Sequence, residues 1–324
     1  MSVIRSLFKR IMISKPAIKV CDRLWRLSHP REMFHSRRLW PYVQQVVRDS
    51  NGVIQSFKIW PADWSLQLTP ADKIQKPQSH TGHIILSGPS VKEIDYSQFT
   101  MPYVMGVNGS FALTKNNDIN FDYYVIIDNS FVRDQLELTR QIVESDLVLF
   151  ARIGVLKEIS LRIPASCIKC RFVILEEVDT PAYKAKPSEA KLREMARSHS
   201  AISLFDAERC LGFSEDITLG VFGARTVAYD ALQIMVWLGM TTIYFHGLDM
   251  GNAATAPRFY ETSQNRTSTT LHINFRNVIE PAFRYAGKHL RERNIRVYNL
   301  SLNSALDKST FARIDWRKLI RNDH

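Results

Sequence analysis

Residues 83–90 read HIILSGPS. A short apolar run stops at a small, polar turn, Ser87-Gly88-Pro89-Ser90. A strand covered on both faces reads as a nearly continuous apolar run, and parallel strands are the ones covered on both faces. The same grammar recurs along the chain. Tyr103–Val107 runs into Asn108-Gly109-Ser110, Tyr123–Ile127 into Asp128-Asn129-Ser130, and Thr242–Phe245 into His246-Gly247-Leu248-Asp249. Leu147–Ala151, Arg171–Leu175 and Arg296–Leu300 are further apolar runs. Helical patterns fall between them, most clearly in Ala224–Leu238, where Ala228, Ala231, Leu232, Met235 and Leu238 share a stripe. Strands alternating with helices predict an α/β fold with a mainly parallel sheet.

Open parallel sheets bind ligands beyond the carboxyl ends of their strands. The residue types at those tips therefore carry the functional reading. Gly88 permits close backbone approach, Pro89 stiffens the turn, and Ser87 and Ser90 supply hydroxyls beside backbone N–H groups that can face an anion. Neither a dinucleotide GxGxxG nor a P-loop is present. Asn108, followed by Gly109, offers a donor and an acceptor to a base or ribose. Asp128 and Asp249 are carboxylates at two further tips, and Gly247 again admits close approach. Downstream, Arg258 suits a carboxylate or phosphate, Tyr260 a phosphate, and His272 is a candidate base near neutral pH. Each tip alone is compatible with ordinary turn chemistry. Four such tips on one sheet edge predict a site.

The 324 residues carry a formal charge of +11, which points to an anionic partner without choosing among nucleic acid, membrane and phosphorylated substrate. Residues 1–50 hold eleven Lys/Arg against three Asp/Glu, so most of the excess sits there. Ile4, Leu7, Phe8, Ile11 and Met12 recur at helical spacing, with Arg5, Lys9 and Arg10 between them, and Leu24, Trp25, Leu27, Leu39, Trp40 and Tyr42 follow. Basic amphipathic helices of this composition suit a membrane interface or packing on the main domain. Residues 51–80 are expected to be irregular, and 180–215 a lid or a surface excursion around the charged helix Ser188–Arg197. The expected organisation is a basic N-terminal segment 1–80, an α/β ligand-binding domain 81–306 and a basic tail 307–324. Four cysteines are too few for a disulfide framework, and Cys167-Ile168-Lys169-Cys170 lacks a second pair to complete a zinc site. No run reaches the length of a transmembrane helix, so a soluble or peripheral, cytoplasmic protein is expected.

The segments LSGPS, VNGS, FDYYVIIDNSF, GFSEDITLGVFGARTVAYDALQI, GLDM, RFYE and NLSLNSAL, in that order, closely resemble the Kdo (3-deoxy-manno-octulosonic acid) transferases of the lipopolysaccharide core. More distantly, SGPSVKEIDYS and GLDM are similar to the bacterial CMP-sialic-acid-dependent sialyltransferases. The resemblance implies a modified Rossmann-like sheet with helices on both faces, of the GT-A-variant kind, and CMP-Kdo as donor with no metal or other cofactor. It implies that Gly88, Pro89 and Ser90 face the CMP phosphate, that Asn108 and Asp128 contact sugar and ribose, and that Thr226 begins a helix close to the donor. Gly247 and Leu248 would flank the cytosine, and Tyr260 would bond the phosphate. The sialyltransferases have Thr-Ser where this chain has Thr226-Val227. Their base is a His in the region of His272, with Asp249 the other candidate here. The implied partners are a lipid A or core oligosaccharide acceptor and an anionic membrane surface at the inner face of the bacterial inner membrane, not nucleic acid. The same residues leave open a sialyltransferase, a nucleotide pyrophosphokinase needing Mg²⁺ and ATP, and a non-catalytic membrane-associated module.

Overall fold

The computed structural model describes residues 11, 14–60, 68–251, 258–261 and 271–320. Residues 4–10 and 12 of the N-terminal apolar-basic pattern lie outside them. Two compact units are present. One comprises Met1–Ile74, Ile126–Ser188 and Thr218–Gly220, and the other Gln75–Val125, Glu189–Ile217 and Val221–His324.

In the first unit, helix α1 (Lys15–Ser28) is followed by a hairpin of β1 (Val43–Arg48) and β2 (Ile54–Ile59). Helices α2 (Asn129–Asp134) and α3 (Leu136–Val143), strand β6 (Val148–Ala151), helix α4 (Ile153–Arg162) and strand β7 (Arg171–Ile174) complete it, with β6 and β7 parallel. The aromatics before residue 50 suit either a membrane interface or packing on the domain, and the chain after residue 50, expected to be irregular, forms β2. Trp25, Leu39 and Tyr42 pack in the core, as the second of these readings has it. The Trp25 indole stacks on His29 with ring centroids 3.4 Å apart and donates to the Met33 carbonyl at 3.2 Å. The hairpin is pinned by Arg48, whose guanidinium meets Glu176 and the Gly52 and Ala182 carbonyls. Helix α4 buries Lys157 and Glu158 side by side, 2.9 Å apart. Burial pushes the Lys157 ammonium below its ordinary value, while Glu158 opposes that loss. The ammonium also donates to the Arg38 carbonyl at 2.9 Å, tying the N-terminal segment to α4.

In the second unit, strands β3 (Thr81–Ile85), β4 (Val104–Val107), β5 (Tyr123–Ile126), β10 (Thr242–His246), β11 (Arg296–Asn299) and β12 (Ala312–Arg313) run in the order β12-β11-β10-β3-β4-β5. Their pairings are parallel. The α/β expectation is met, and the apolar runs read from sequence match these strands to within a residue or two. All four residues of β4 and of β5 are buried, as strands covered on both faces must be. The order also fixes a reversal. From β3 the chain proceeds to one side through β4 and β5, and from β10 to the other through β11 and β12. The neighbours β3 and β10, in register from Thr81↔Thr242 to Ile85↔His246, therefore form the topological switch point.

Helix α6 (Val227–Trp237) packs on β3 and β4. Thr226 caps its start, accepting from the Ala228 N–H at 3.4 Å. Gly239, at φ +94°, ends it with the bonds Gly239 N–H to Val236 O and Met240 N–H to Met235 O, the Schellman pattern. The stretch expected as a lid or excursion contains helix α5 (Glu189–Ser198) and the hairpin β8 (Ile202–Asp206) and β9 (Leu211–Ser214). Strand β9 is buried throughout and packs on helix α8 (Glu280–Glu292), so it is core. The expected basic tail supplies edge strand β12, with Phe311 buried before it.

Gln233 of α6 holds this region together. Its amide oxygen accepts from the Ser214 and Phe222 N–H groups, each at 3.0 Å, and its nitrogen donates to the Phe222 carbonyl at 2.9 Å. Gln233→Leu strands these buried groups at about 1–3 kcal/mol each. We expect urea unfolding to show a loss of about 3 kcal/mol or more, and a loss below about 1 kcal/mol would contradict this account.

Candidate active site

The tips of β3 and β10 lock together. Gly88 lies so close to the Gly247 carbonyl and the Asp249 carboxylate that a Cβ there would collide with both. Gly247 has φ +72°, a left-handed conformation that glycine adopts without strain. Asp249 then clamps the opposite turn. Its carboxylate accepts from the Ser90 N–H at 3.0 Å and from the Ser90 hydroxyl at 2.5 Å. Short O–H···O⁻ bonds of this kind are charge-assisted.

A further tip joins the clamp, one that the sequence reading passed over. The Ser301 hydroxyl, just past β11, lies 2.8 Å from that of Ser90. Asn299 and Ser304 donate to the Leu248 carbonyl at 3.1 and 2.6 Å, and the Ala305 N–H donates to the Asp249 carbonyl at 2.7 Å. Leu248 is fully buried beneath these bonds. The signal was present in Ser301-Leu302-Asn303-Ser304, as polar a strand tip as the four singled out.

The strip 258–261 closes on the same edge. The Phe259 N–H donates to the Ser87 carbonyl at 3.2 Å. The Tyr260 ring covers Gly109 so tightly that a Cβ there would enter the ring. Arg258 is paired with the buried carboxylate of Glu261 at 2.8 Å, and its own N–H donates to the same carboxylate at 3.0 Å. Burial acts against the guanidinium's charge, but Tyr260 and Glu261 outweigh it and hold Arg258 above its ordinary value. Glu261 is therefore a second site residue that the sequence reading missed. Its signal was an acid three residues from Arg258.

Asn108 sits at the centre of this edge with φ +45°. Its carbonyl accepts from the Tyr124 hydroxyl at 2.6 Å, and that hydroxyl in turn accepts from the Phe111 N–H at 2.8 Å. The Tyr124 phenol is buried, which pushes its pKa up and keeps it a neutral donor. The Asn108 side-chain oxygen is buried with no hydrogen-bond partner among the described residues. A buried amide oxygen without a donor is rare and costly, and strained backbone gathers at functional sites.

The structure thus brings together Ser87, Gly88, Pro89, Ser90, Asn108, Gly109, Gly247, Leu248, Asp249, Arg258 and Tyr260. Of the other three, Thr226 begins a helix, as expected. It uses its hydroxyl to cap α6. Asp128 belongs to the first unit, where its carboxylate caps α2 through the Ser130 N–H and hydroxyl, both at 2.7 Å. His272 is exposed in the short helix α7 (Leu271–Asn274).

With this geometry in place, comparison with known proteins decides the family. Residues 69–315 match the family described as 3-deoxy-D-manno-octulosonic acid transferase WaaZ. The chain belongs to that family. It is therefore a glycosyltransferase of the Kdo class. Among its relatives is a protein of Salmonella typhimurium LT2 described as "Probable 3-deoxy-manno-octulosonic acid transferase", 27% identical over 74% of this chain and 89% of the relative. A protein of Escherichia coli K12 with the same description is 27% identical over 69% of this chain and 78% of its own length. Of solved structures, the monofunctional alpha-2,3-sialyltransferase Cst-I from Campylobacter jejuni overlays with a TM-score of 0.41 and 15% identity, covering 78% of this chain and 86% of that one.

Behind the switch point of this Kdo-class enzyme lies a buried histidine pair. His83 of β3 and His246 of β10 share a hydrogen bond, Nδ1 to Nε2, at 3.0 Å. Burial brings His83 down to about 3, and burial together with His83 holds His246 well below its ordinary value. Both rings are neutral in the folded protein, whereas in the unfolded chain they take up protons below about pH 6.5. The unfolded state then binds more protons, so stability is full above that pH and is lost as pH falls from about 6.5 towards 3. We expect about 2 kcal/mol lost per histidine between pH 7 and pH 5, measured by urea unfolding across the range. His83→Gln should lower the slope by close to one proton. An unchanged slope in that variant would refute the assignment.

Proposed function

We propose that this chain transfers Kdo from CMP-Kdo, with inversion, to a sugar hydroxyl of a lipid A or lipopolysaccharide-core acceptor at the inner face of the bacterial inner membrane. The observation that carries the reading is the switch-point edge, where Gly88, Gly247 and Gly109 permit close approach and the Asn108 amide oxygen awaits a donor. Membership of the Kdo transferase family supplies the sugar.

The anion site in this reading is narrower than the turn first suggested. Pro89 has no N–H, and the Ser90 N–H and hydroxyl both serve Asp249. The donors left to the phosphate at this turn are the Gly88 N–H and the Ser87 hydroxyl, with Tyr260 set across Gly109. Asp249 is thereby a positioning residue, its carboxylate occupied by Ser90. The Asn108 amide oxygen accepts from a donor hydroxyl or the cytosine amine. Arg258, held charged, sits where the sugar carboxylate or the leaving phosphate places negative charge.

In the transfer step the acceptor O–H bond breaks and its oxygen bonds to the anomeric carbon of Kdo. The bond from that carbon to the phosphate oxygen breaks on the opposite face, and CMP leaves with the electron pair. His272 takes the acceptor proton. CMP is a good leaving group, so the departing charge can be met by hydrogen-bond donors, and no metal is invoked.

CMP should raise the melting temperature, while UDP and ATP should not. At a hundred times its dissociation constant a ligand contributes about 2.7 kcal/mol. Mass spectrometry of the acceptor after incubation with CMP-Kdo should show the addition of one Kdo. Transfer from CMP-sialic acid instead, or product formation that requires ATP and is abolished by EDTA, would replace this reading. Asn108→Ala should weaken donor use by about 10-fold to 100-fold in kcat/KM, the effect of losing a hydrogen bond in a buried polar site. His272→Ala should lower kcat by about 10²-fold to 10⁴-fold. An activity equal to wild type would exclude His272 as the base.

A further inference from the structure

Helix α1 presents three different faces. Cys21 and Trp25 are buried and anchor it to the first unit. Val20, Leu24 and Leu27 lie at i, i+4 and i+7, one stripe of a helix, and are 58%, 50% and 79% exposed. Lys19, Arg23 and Arg26 repeat the same spacing one residue out of phase, so a cationic stripe runs beside the apolar one, and all three are exposed. Asp22 is the helix's one acid, and it is already engaged by Arg26 at 3.2 Å and Arg37 at 2.7 Å. Among the described residues, no acid is recorded in a salt bridge with Lys19 or Arg23.

We propose that this double stripe of α1 is a docking surface for an anionic lipid bilayer. Such a surface offers what both stripes lack. Its acyl region takes Val20, Leu24 and Leu27, and its phosphates take Lys19, Arg23 and Arg26. Charge complementarity selects this occupant over a second copy of the chain. Two copies packed through the apolar stripe would bring cations against cations, with Asp22 already committed. The buried Trp25 fixes the roll of the helix, so the stripes face outward without folding on binding. The inference rests on the reading that the acceptor is carried by a membrane, and it adds the surface that reaches it.

The test is flotation of the full chain with vesicles of phosphatidylethanolamine and phosphatidylglycerol, against vesicles of phosphatidylcholine alone. Wild type should float with the anionic vesicles and be released as salt rises from 0.1 to about 0.5 M, as screening shortens the reach of the phosphates. Lys19→Ser with Arg23→Ser should lose about 20-fold in partitioning, roughly five-fold per cation. Val20→Ser with Leu24→Ser and Leu27→Ser should lose at least about 10-fold, since three buried aliphatic side chains are forfeited. These side chains are exposed, so melting temperature and the CMP-induced shift should match wild type in both variants, showing that the fold is retained. Equal flotation by the variants and wild type would overturn the proposal, as would equal binding to phosphatidylcholine vesicles. So would a dimer in light scattering that the apolar variant converts to monomer. The CMP-induced rise in melting temperature separates the two readings. Its absence alongside intact vesicle binding removes the donor assignment and leaves the docking surface standing.

Discussion

The pairing of β3 with β10 is the constraint on which the candidate site depends. These strands are far apart in sequence yet adjacent in the sheet, and the chain departs from them in opposite directions. The helices and loops that follow two such strands diverge, and a crevice opens beyond their carboxyl ends. Everything placed there has to tolerate close backbone approach. Gly88 and Gly247 meet that requirement, and the Asp249 carboxylate turns the proximity into a bond by holding Ser90. A side chain at Gly88 would push the turns apart and break that clamp.

The same pairing explains why the core beneath is unusual. Strands β3 and β10 carry His83 and His246 into the sheet, where an unpaired imidazole would be costly. The two rings share one hydrogen bond, while His246 Nδ1 is buried without a partner among the described residues, and burial opposes protonation of either ring. The loops above are thus mounted on neutral, hydrogen-bonded strands rather than on an apolar pair. That arrangement couples the integrity of the switch point to pH through the stability of the whole unit.

Much of this was legible in the sequence because it rests on local patterns. Apolar runs buried on both faces announce themselves, and so do Thr226 and Gly239 at the ends of α6. The polar tips after β3, β4 and β10 could be read as one site because a parallel sheet puts them on one edge. Where the sequence left alternatives open in the N-terminal segment, contacts distant in the chain decide between them. Trp25 and Tyr42 have the composition of an interfacial belt, and only their packing among Trp40, Tyr183 and Lys157 makes them core. The β1–β2 hairpin has weak alternation and is held by Arg48 reaching Glu176. The Asp128 carboxylate accepts from the Ser130 N–H and hydroxyl at the start of α2, a local use that sequence cannot distinguish from binding.

At Ser90 the residue type and the observed contacts point to different uses. As a residue type at a strand tip it reads as a phosphate donor. In the structure its hydroxyl already has an acidic acceptor at 2.5 Å and a hydroxyl neighbour, Ser301, at 2.8 Å. Turning that hydroxyl towards an anion would leave the Asp249 carboxylate short of a charge-assisted bond, a loss comparable to what the new contact would gain. In the proposed reading the turn meets an anion through the Gly88 N–H and the Ser87 hydroxyl, while the Ser90 side chain holds the turn in place. Asn108 shows the reverse condition, a residue at positive φ whose carbonyl is engaged by Tyr124 and whose amide oxygen has no partner among the described residues. Specificity for the donor is accordingly to be sought at Asn108 and at the Arg258–Tyr260 strip over Gly109, rather than at the Ser90 hydroxyl from which the sequence argument began.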